Sequence, residues 1–266
     1  MMLTFRETPM YVFLRSTGLL CISMIFAILM NTTFKSVLIE LSEIKDSSLG
    51  GFLSTIYALI TAFILVSVWG HYNDTKQVFS QENETLISLW VNTDFLDDPV
   101  ITEKMRSVLL KYIDSALNSE FPVLAQKKEI ELPSPEFIEI KKVIDQVKFD
   151  DDRDAVGFEQ LLIDYRELTK ARNKRIEFSL IKIPSLMRNF YKLASVIFWV
   201  GFLIQGFSSE ILYYLVLLME TLLVIMSYTL IFDLERPLAG LVRLPYRKYY
   251  VSRNYIESTD HEVFHD

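Results

Sequence analysis

Gly51 to Gly70 reads GFLSTIYALITAFILVSVWG, a stretch without one charged side chain that runs into His71 and Tyr72. A bilayer core about 30 Å thick is crossed by roughly 20 mostly apolar helical residues, and a helix satisfies its own backbone hydrogen bonds where no water can. The stretch therefore predicts a membrane span. The Trp69-Gly70-His71-Tyr72 cluster at its end suits the headgroup level, where amphipathic rings concentrate.

Three further apolar runs flank this one. Ser16 to Phe34 lies between Arg15 and Lys35 and is weakened in its second half by Asn31, Thr32 and Thr33. A cleaved signal peptide is the competing reading, but no small-x-small cleavage site precedes Lys35, so a membrane anchor is expected. Leu193 to Phe207 and Ile211 to Phe232 are separated only by Ser208, Ser209 and Glu210, the pattern of a helical hairpin across the membrane. The composition agrees. Of 266 residues 51% are hydrophobic and the mean hydropathy is +0.26, although the net charge is -7. Apolar and charged residues must then occupy different parts of the chain.

Between the second and third runs the sequence is polar and carries helix periods. Ile101, Met105, Val108, Leu109, Tyr112 and Ala116 recur at three and four residues, after Asp97 and Asp98 as caps and Pro99 in the first turn. Leu161, Tyr165, Leu168, Arg172, Ile176, Leu180 and Ile183 form a second stripe that stops near Pro184. No Pro or Gly interrupts His71 to Leu96, so the second span is expected to continue as one long helix. Breaks are expected at Phe121-Pro122, at Leu132-Pro133-Ser134-Pro135, and at the acidic run Asp150, Asp151, Asp152, Asp154 before Gly157. That run is read as a solvated turn, since calcium-loop spacing is absent.

The fold class that follows is all-α: an integral membrane protein with four transmembrane helices and a cytoplasmic helical domain, the second and third spans extended into the cytoplasm. Residues 1–70 hold transmembrane helices 1 and 2, 71–190 the cytoplasmic helical domain, 191–235 transmembrane helices 3 and 4, and 236–266 a cytoplasmic C-terminal tail. Orientation follows from the basic residues. Lys170, Arg172, Lys174, Arg175, Lys182, Arg188 and Lys192 precede the third span, and Arg236, Arg243, Arg247, Lys248 and Arg253 follow the fourth. Both flanks are expected in the cytoplasm, as are both termini, while the loop from Lys35 to Gly50 falls outside. A multi-pass protein of the inner (plasma) membrane is the corresponding location.

Several function classes have little to stand on. Cys21 is the lone cysteine, the eight glycines offer no dinucleotide or phosphate loop, and His71, His261 and His265 are too scattered for a ligand triad. No cofactor, metal, catalytic residue or nucleic-acid partner is expected, and the chain is not read as an enzyme.

The order of segments is similar to a known family. Phe63-Ile64-Leu65-Val66-Ser67-Val68-Trp69-Gly70-His71-Tyr72-Asn73-Asp74, followed by Glu82 and Leu86, resembles the second span and its extension in the bestrophin-like domain family of bacterial membrane proteins. Asp233-Leu234-Glu235-Arg236-Pro237-Leu238-Ala239-Gly240-Leu241-Val242-Arg243 is similar to that family's Asp-Arg-Pro-Phe-x-Gly signature after the last span, with Glu235 for the usual Asp and Leu238 for the usual Phe. Ser119-Glu120-Phe121-Pro122 resembles its acid–aromatic–Pro step. The resemblance implies a homo-oligomeric anion channel whose pore is lined by the second span. The alternative is a non-conducting membrane scaffold or signalling protein that acts through the cytoplasmic helical domain.

Four groups of residues are candidates for function. Phe52, Ile56, Ile60 and Ile64 recur every four residues along the second span; this stripe faces either lipid or an axial neck, and the resemblance makes Ile56, Ile60 and Ile64 the neck candidates. Glu220 falls near the middle of the fourth run, where a carboxyl is expensive. It is read either as a protonated acid hydrogen-bonded to Gln205, Ser227 or Thr221, or as a transport group. Asp233, Glu235, Arg236, Pro237, Gly240 and Arg243 form a helix-end motif, read as a stop signal in which Glu235 pairs with Arg236, or as a site for anionic lipid headgroups or a permeating anion. The basic group Lys170, Arg172, Lys174 and Arg175 is read as a solvated face near the membrane, and the pair His261 and His265 as part of a polar tail.

Overall fold

The computed structural model describes residues 9–33, 47–96, 98–130, 134–148, 152–203, 209–242, 244 and 246–258. These form helices, with no strand among the described residues. In chain order they are α1 (Pro9–Thr33), α2 (Ser47–Thr93), a 3-10 turn (Asp94–Leu96), α3 (Pro99–Ser115), a π-helical turn (Ala116–Glu120), α4 (Phe121–Ala125), α5 (Pro135–Ile144), α6 (Asp152–Leu180), α7 (Ser185–Leu203), α8 (Glu210–Leu234) and α9 (Arg247–Ser258). The expected outer loop over 35–46, Leu132-Pro133, the acids Asp150 and Asp151, Gln205, Ser208, Arg243, and the His261/His265 pair lie outside the described residues.

The chain divides into two compact units. The first takes its described residues from 1–70, 182–235 and 240–242, the second from 71–181, 236–239 and 243–266. The helix α2 contributes to both, because nothing in its 47 residues breaks it.

Among the described residues two helices are long and apolar enough to cross a membrane, Gly50–Thr93 and Glu210–Leu234. The helices α1 and α7 stand where the sequence predicts the first and third spans. Unlike the expected run from Leu193, α7 begins at Ser185, directly after Pro184, so Arg188 and Lys192 lie inside the helix. The side chains of α2 and α8 that point away from the unit are large and apolar, among them Leu59, Phe63, Val66, Leu218 and Leu223. Inside, Tyr57 stacks on Phe198 at 4.2 Å, and Leu203 and Leu217 form a small buried cluster with Met24, Trp199 and Tyr213 against it. Gly201 permits the approach of α2, since a Cβ there would collide with the Leu53 side chain.

In the second unit the expected cap is present: Asp98 Oδ1 accepts from the N–H groups of Val100 at 2.8 Å and Ile101 at 3.2 Å, with Pro99 in the first turn, where a missing N–H is harmless. The stripe Ile101, Met105, Val108, Leu109, Tyr112 and Ala116 is buried, as its spacing predicts.

Two expected breaks are corrected. Phe121-Pro122 is not a loop. Proline cannot donate to the carbonyl four residues back and its ring crowds that carbonyl; the helix continues by widening, with the Phe121 N–H bonded to the Ala116 carbonyl five residues back. The acidic run is likewise not a turn along its whole length, because α6 already begins at Asp152 and Gly157 lies within it. Acids in a first helical turn complement the positive end of the helix dipole, which is why such a run starts a helix as readily as it ends one.

Candidate functional site

The first half of α2 carries no charge, and its faces differ sharply. At 3.6 residues per turn a step of four residues overshoots one turn by about 40°. A strict four-residue recurrence therefore walks around the helix. Phe52 is 62% exposed, Ile56 38%, Ile60 half-buried and Ile64 only 4%. The expected stripe is not one surface: Ile64 is enclosed within the chain, whereas Ile56 borders an open face centred on Leu59, Phe63 and Val66.

Opposite that face a group of hydroxyls joins three helices. The Tyr191 hydroxyl donates to Ser227 Oγ at 2.8 Å, and Ser227 donates onward to the Val224 carbonyl at 3.0 Å. Tyr57 stands 3.2 Å from the Tyr191 hydroxyl and 3.1 Å from Ser227 Oγ. With both of those protons committed, the single Tyr57 proton is shared between the Tyr191 and Ser227 oxygens. Each hydroxyl proton thus ends on an acceptor inside the unit, as the dry interior of a membrane bundle demands.

Glu220 lies part-way along α8, half-buried, with Oε2 enclosed and without a hydrogen-bond partner among the described residues. Of its three expected partners two make other contacts, and Gln205 lies outside the described residues. Thr221 Oγ1 accepts the Trp199 indole N–H at 3.0 Å, and Ser227 belongs to the tyrosine group. Adjacent residues on a helix point about 100° apart, so Thr221 and Glu220 serve different faces.

The helix-end motif is a clamp. Asp233 in the last turn of α8 accepts from the backbone N–H groups of Leu241 at 2.5 Å and Val242 at 2.9 Å. The chain must fold back tightly for this, and a Cβ on Gly240 would lie 2.6 Å from the Asp233 carbonyl oxygen. The position requires glycine for close approach. Glu235 is buried, and its Oε1 accepts the Ile183 N–H at 2.9 Å, just ahead of α7. The motif thus ties the end of α8 to the start of α7. Pro237 is buried and Arg236 is exposed.

The second unit contains a charged core that the sequence reading did not foresee. Lys170 and Lys174 are exposed as expected, but Arg172 and Arg175 are buried, which corrects the basic group from a solvated face to a split one. Arg172 Nη2 donates to Glu120 Oε1 at 2.5 Å. Arg175 donates through Nε to Glu82 and through Nη2 to Glu120. The Tyr112 hydroxyl donates to the remaining oxygen of Glu82 at 2.5 Å. Two acids and two bases cancel, and rings cover the cations: Arg175 lies 4.9 Å from the centre of Phe121 and Arg172 5.1 Å from that of Phe137. Burial alone would raise the Glu120 carboxyl, but Arg175 and Arg172 outweigh it and hold the group below its ordinary value. Burial drives Tyr112 the other way, well above its ordinary value, with Glu82 adding to the rise.

The π-helical turn has its purpose here, since the extra residue it accommodates carries Glu120 into the arginines. Two signals in the sequence pointed this way: Arg172 falls within an apolar stripe, and Glu82 and Glu120 both belong to the segments that carry the family resemblance.

An all-helical chain with a span-length apolar helix that runs on into a charged, buried core, and with an acid–Arg–Pro clamp after its last apolar helix, is a membrane protein of bestrophin-like fold. The Bestrophin-like domain model matches residues 47–248, and the chain belongs to that family. A bacterial bestrophin homologue from Klebsiella pneumoniae with a tryptophan-to-alanine mutation, seen in a crystal structure, is 14% identical and aligns over 92% of this chain and 94% of its own with a TM-score of 0.66. The crystal structure of a membrane protein with a proline-to-alanine change is 12% identical and aligns over 92% of this chain and 96% of its own with a TM-score of 0.65. At such identities the likeness is one of fold. No curated protein matches the sequence.

Proposed function

We propose that this chain is the subunit of a homo-oligomeric ion channel, anion-conducting, with its pore lined by the first half of α2. The observation that carries the reading is the open face of that helix: it is uncharged, long enough to cross a bilayer, and left uncovered by its own subunit around Ile56, Leu59, Phe63 and Val66. Apolar constrictions gate by dewetting, so such a face, repeated around an axis, makes a neck. Of the three isoleucines Ile56 is the principal neck residue and Ile60 contributes its open side, while Ile64 supports the helix from within. The second unit and both termini lie in the cytoplasm of a cell whose inner membrane holds the protein, and Arg236, exposed beyond the end of α8, meets anionic headgroups.

Purified protein in liposomes tests this directly. Ile56→Ala should raise anion conductance several-fold because a wider ring stays wet, and Ile64→Ala should leave it unchanged. A monomer in detergent, or liposomes without current in both, would favour the second reading, a scaffold acting through the exposed apolar residues Phe95, Val156 and Ile163 of the second unit. For orientation, a cysteine at the exposed Glu129 in a Cys21→Ser background should be labelled only from the cytoplasmic side.

A further inference from the structure

Among α1, α7 and α8 the first unit leaves a cavity of about 530 Å³ whose wall includes Ser23, Ser195, Val196, Trp199, Val224 and Tyr228. Its size falls in the range of about 300–1,000 Å³ typical of ligand sites. The polar atoms of the wall make few demands. Ser23 donates to the Leu20 carbonyl at 2.9 Å and Ser195 to the Tyr191 carbonyl at 2.8 Å, each within its own helix. The Trp199 N–H is taken by Thr221, another wall residue. A buried water needs two to four polar partners, and these three groups already have theirs in the protein; the hydroxyls of Tyr228 and Thr229 are the remaining polar lining of a mostly apolar wall. The cavity is therefore a place for hydrocarbon. It also reaches the surface that meets the bilayer, because Val196 lines it while 57% exposed. Trp199, one turn further along α7, lines it as well, stands 5.7 Å from the ring of Phe26 and packs against the Leu203–Leu217 cluster.

We infer that this cavity is a binding site for a single acyl chain of a membrane lipid, entering past Val196 and packing beside Trp199 and Tyr228. Association between membrane helices has no hydrophobic driving force to close such a gap, since lipid is as apolar as the wall. An inserted chain supplies the missing packing contacts. Among the described residues the wall offers no charged side chain, so no charge in it selects a headgroup. The inference rests on the membrane placement of this unit and is independent of ion conduction.

Photolabelling of the intact protein in liposomes tests it, with phosphatidylethanolamine and phosphatidylglycerol each carrying a diazirine near the end of one chain. Adducts should concentrate at Trp199 and Tyr228, at least five-fold above the outward-facing Leu218 and Leu223, and should be equal for the two headgroups. Val224→Trp, which fills the cavity, should abolish the excess, and Leu223→Trp should not. Adducts spread evenly over the outward-facing residues in the wild-type protein would overturn the site and leave the gap to a helix of another subunit. A strong preference for one headgroup would overturn the chain-selective reading. Because the wild-type labelling pattern decides the first point, it stands even if Val224→Trp fails to fold.

Discussion

One uninterrupted helix, α2, carries two burial patterns. Along its span half the large apolar side chains Leu59, Phe63 and Val66 point away from the subunit, and the hydroxyl of Tyr57 points in toward Tyr191 and Ser227. Along its extension the pattern is that of a water-soluble core, with Leu86, Leu89 and Trp90 buried together with the charged Glu82. In hydrocarbon an outward apolar surface is free of penalty, and the interior must reconcile the few polar groups. In water the apolar surface itself must be hidden, and that hidden volume is large enough to enclose two ion pairs. The ion pairs of the second unit are thus more exacting than the hydroxyl group of the first, since breaking one strands a full charge.

The sharpest way to break this contrast is to remove a charge from the second unit. Arg175→Met should destabilise the protein by about 3–5 kcal/mol, because Glu82 and part of Glu120 are left buried without their partner. Thermal unfolding in detergent would show it, and pairing the change with Glu82→Leu should restore part of the loss. If Arg175→Met unfolds like the wild type, the network is not closed to water.

A matched pair of truncations comes next. Leu86→Ala in the extension should cost about 2–5 kcal/mol, the sum of a transfer and a cavity contribution. Ile64→Ala, equally enclosed but in the span, should cost clearly less, since lipid is as apolar as the site it leaves and only packing is lost. Equal losses in denaturant titrations would mean that both halves of α2 face the same solvent.

At the clamp, Gly240→Ala should cost about 1–3 kcal/mol, the range for forcing an extra carbon into a close-packed position. Its effect should disappear in an Asp233→Ala, Gly240→Ala double change, compared with Asp233→Ala alone, only if the carboxylate, and not the carbonyl at 2.6 Å, is the obstacle. The carbonyl contact predicts that it persists.

The smallest effect is that of pH. A carboxyl held below its ordinary value of 4.5 adds stability that is present above that value and lost as pH falls through the lowered one, so Glu120 should make the second unit labile only in strong acid. Tyr112 and Tyr249, held well above 10.0, add stability that is present below that value and lost as pH rises further. Melting temperatures should therefore fall at the acid and alkaline ends. Arg172→Met should shift the acid limb toward neutral pH.

Much of the architecture was legible in the residues. An uncharged run of span length, the absence of Pro and Gly after it, the Asp98-Pro99 start of α3 and the spacing from Ile101 to Ala116 are local signals, each fixed by the geometry of a single helix. They named α1 to α3 and α6 to α8, the helical class and the family. The reading failed where neighbours decide. Pro122 marked a break, but whether a helix stops or widens depends on what the displaced residue meets, and Glu120 meets two arginines. The basic run from Lys170 to Arg175 looked uniform, yet two of its members sit on the face toward the core.

The same division holds for the site. That α2 has an apolar stripe follows from its residues; which part of the stripe remains open does not, because the about 40° drift of a four-residue step leaves burial to the packing of α7 and α8. The glycine at 240 was visible in the motif, while its reason is a carbonyl of the preceding helix that only the folded chain brings near. Periodicity and charge act along the chain and are written in it. Enclosure of Ile64, pairing of Arg175 and the gap beside Trp199 arise from helices distant in sequence, and no single segment contains them.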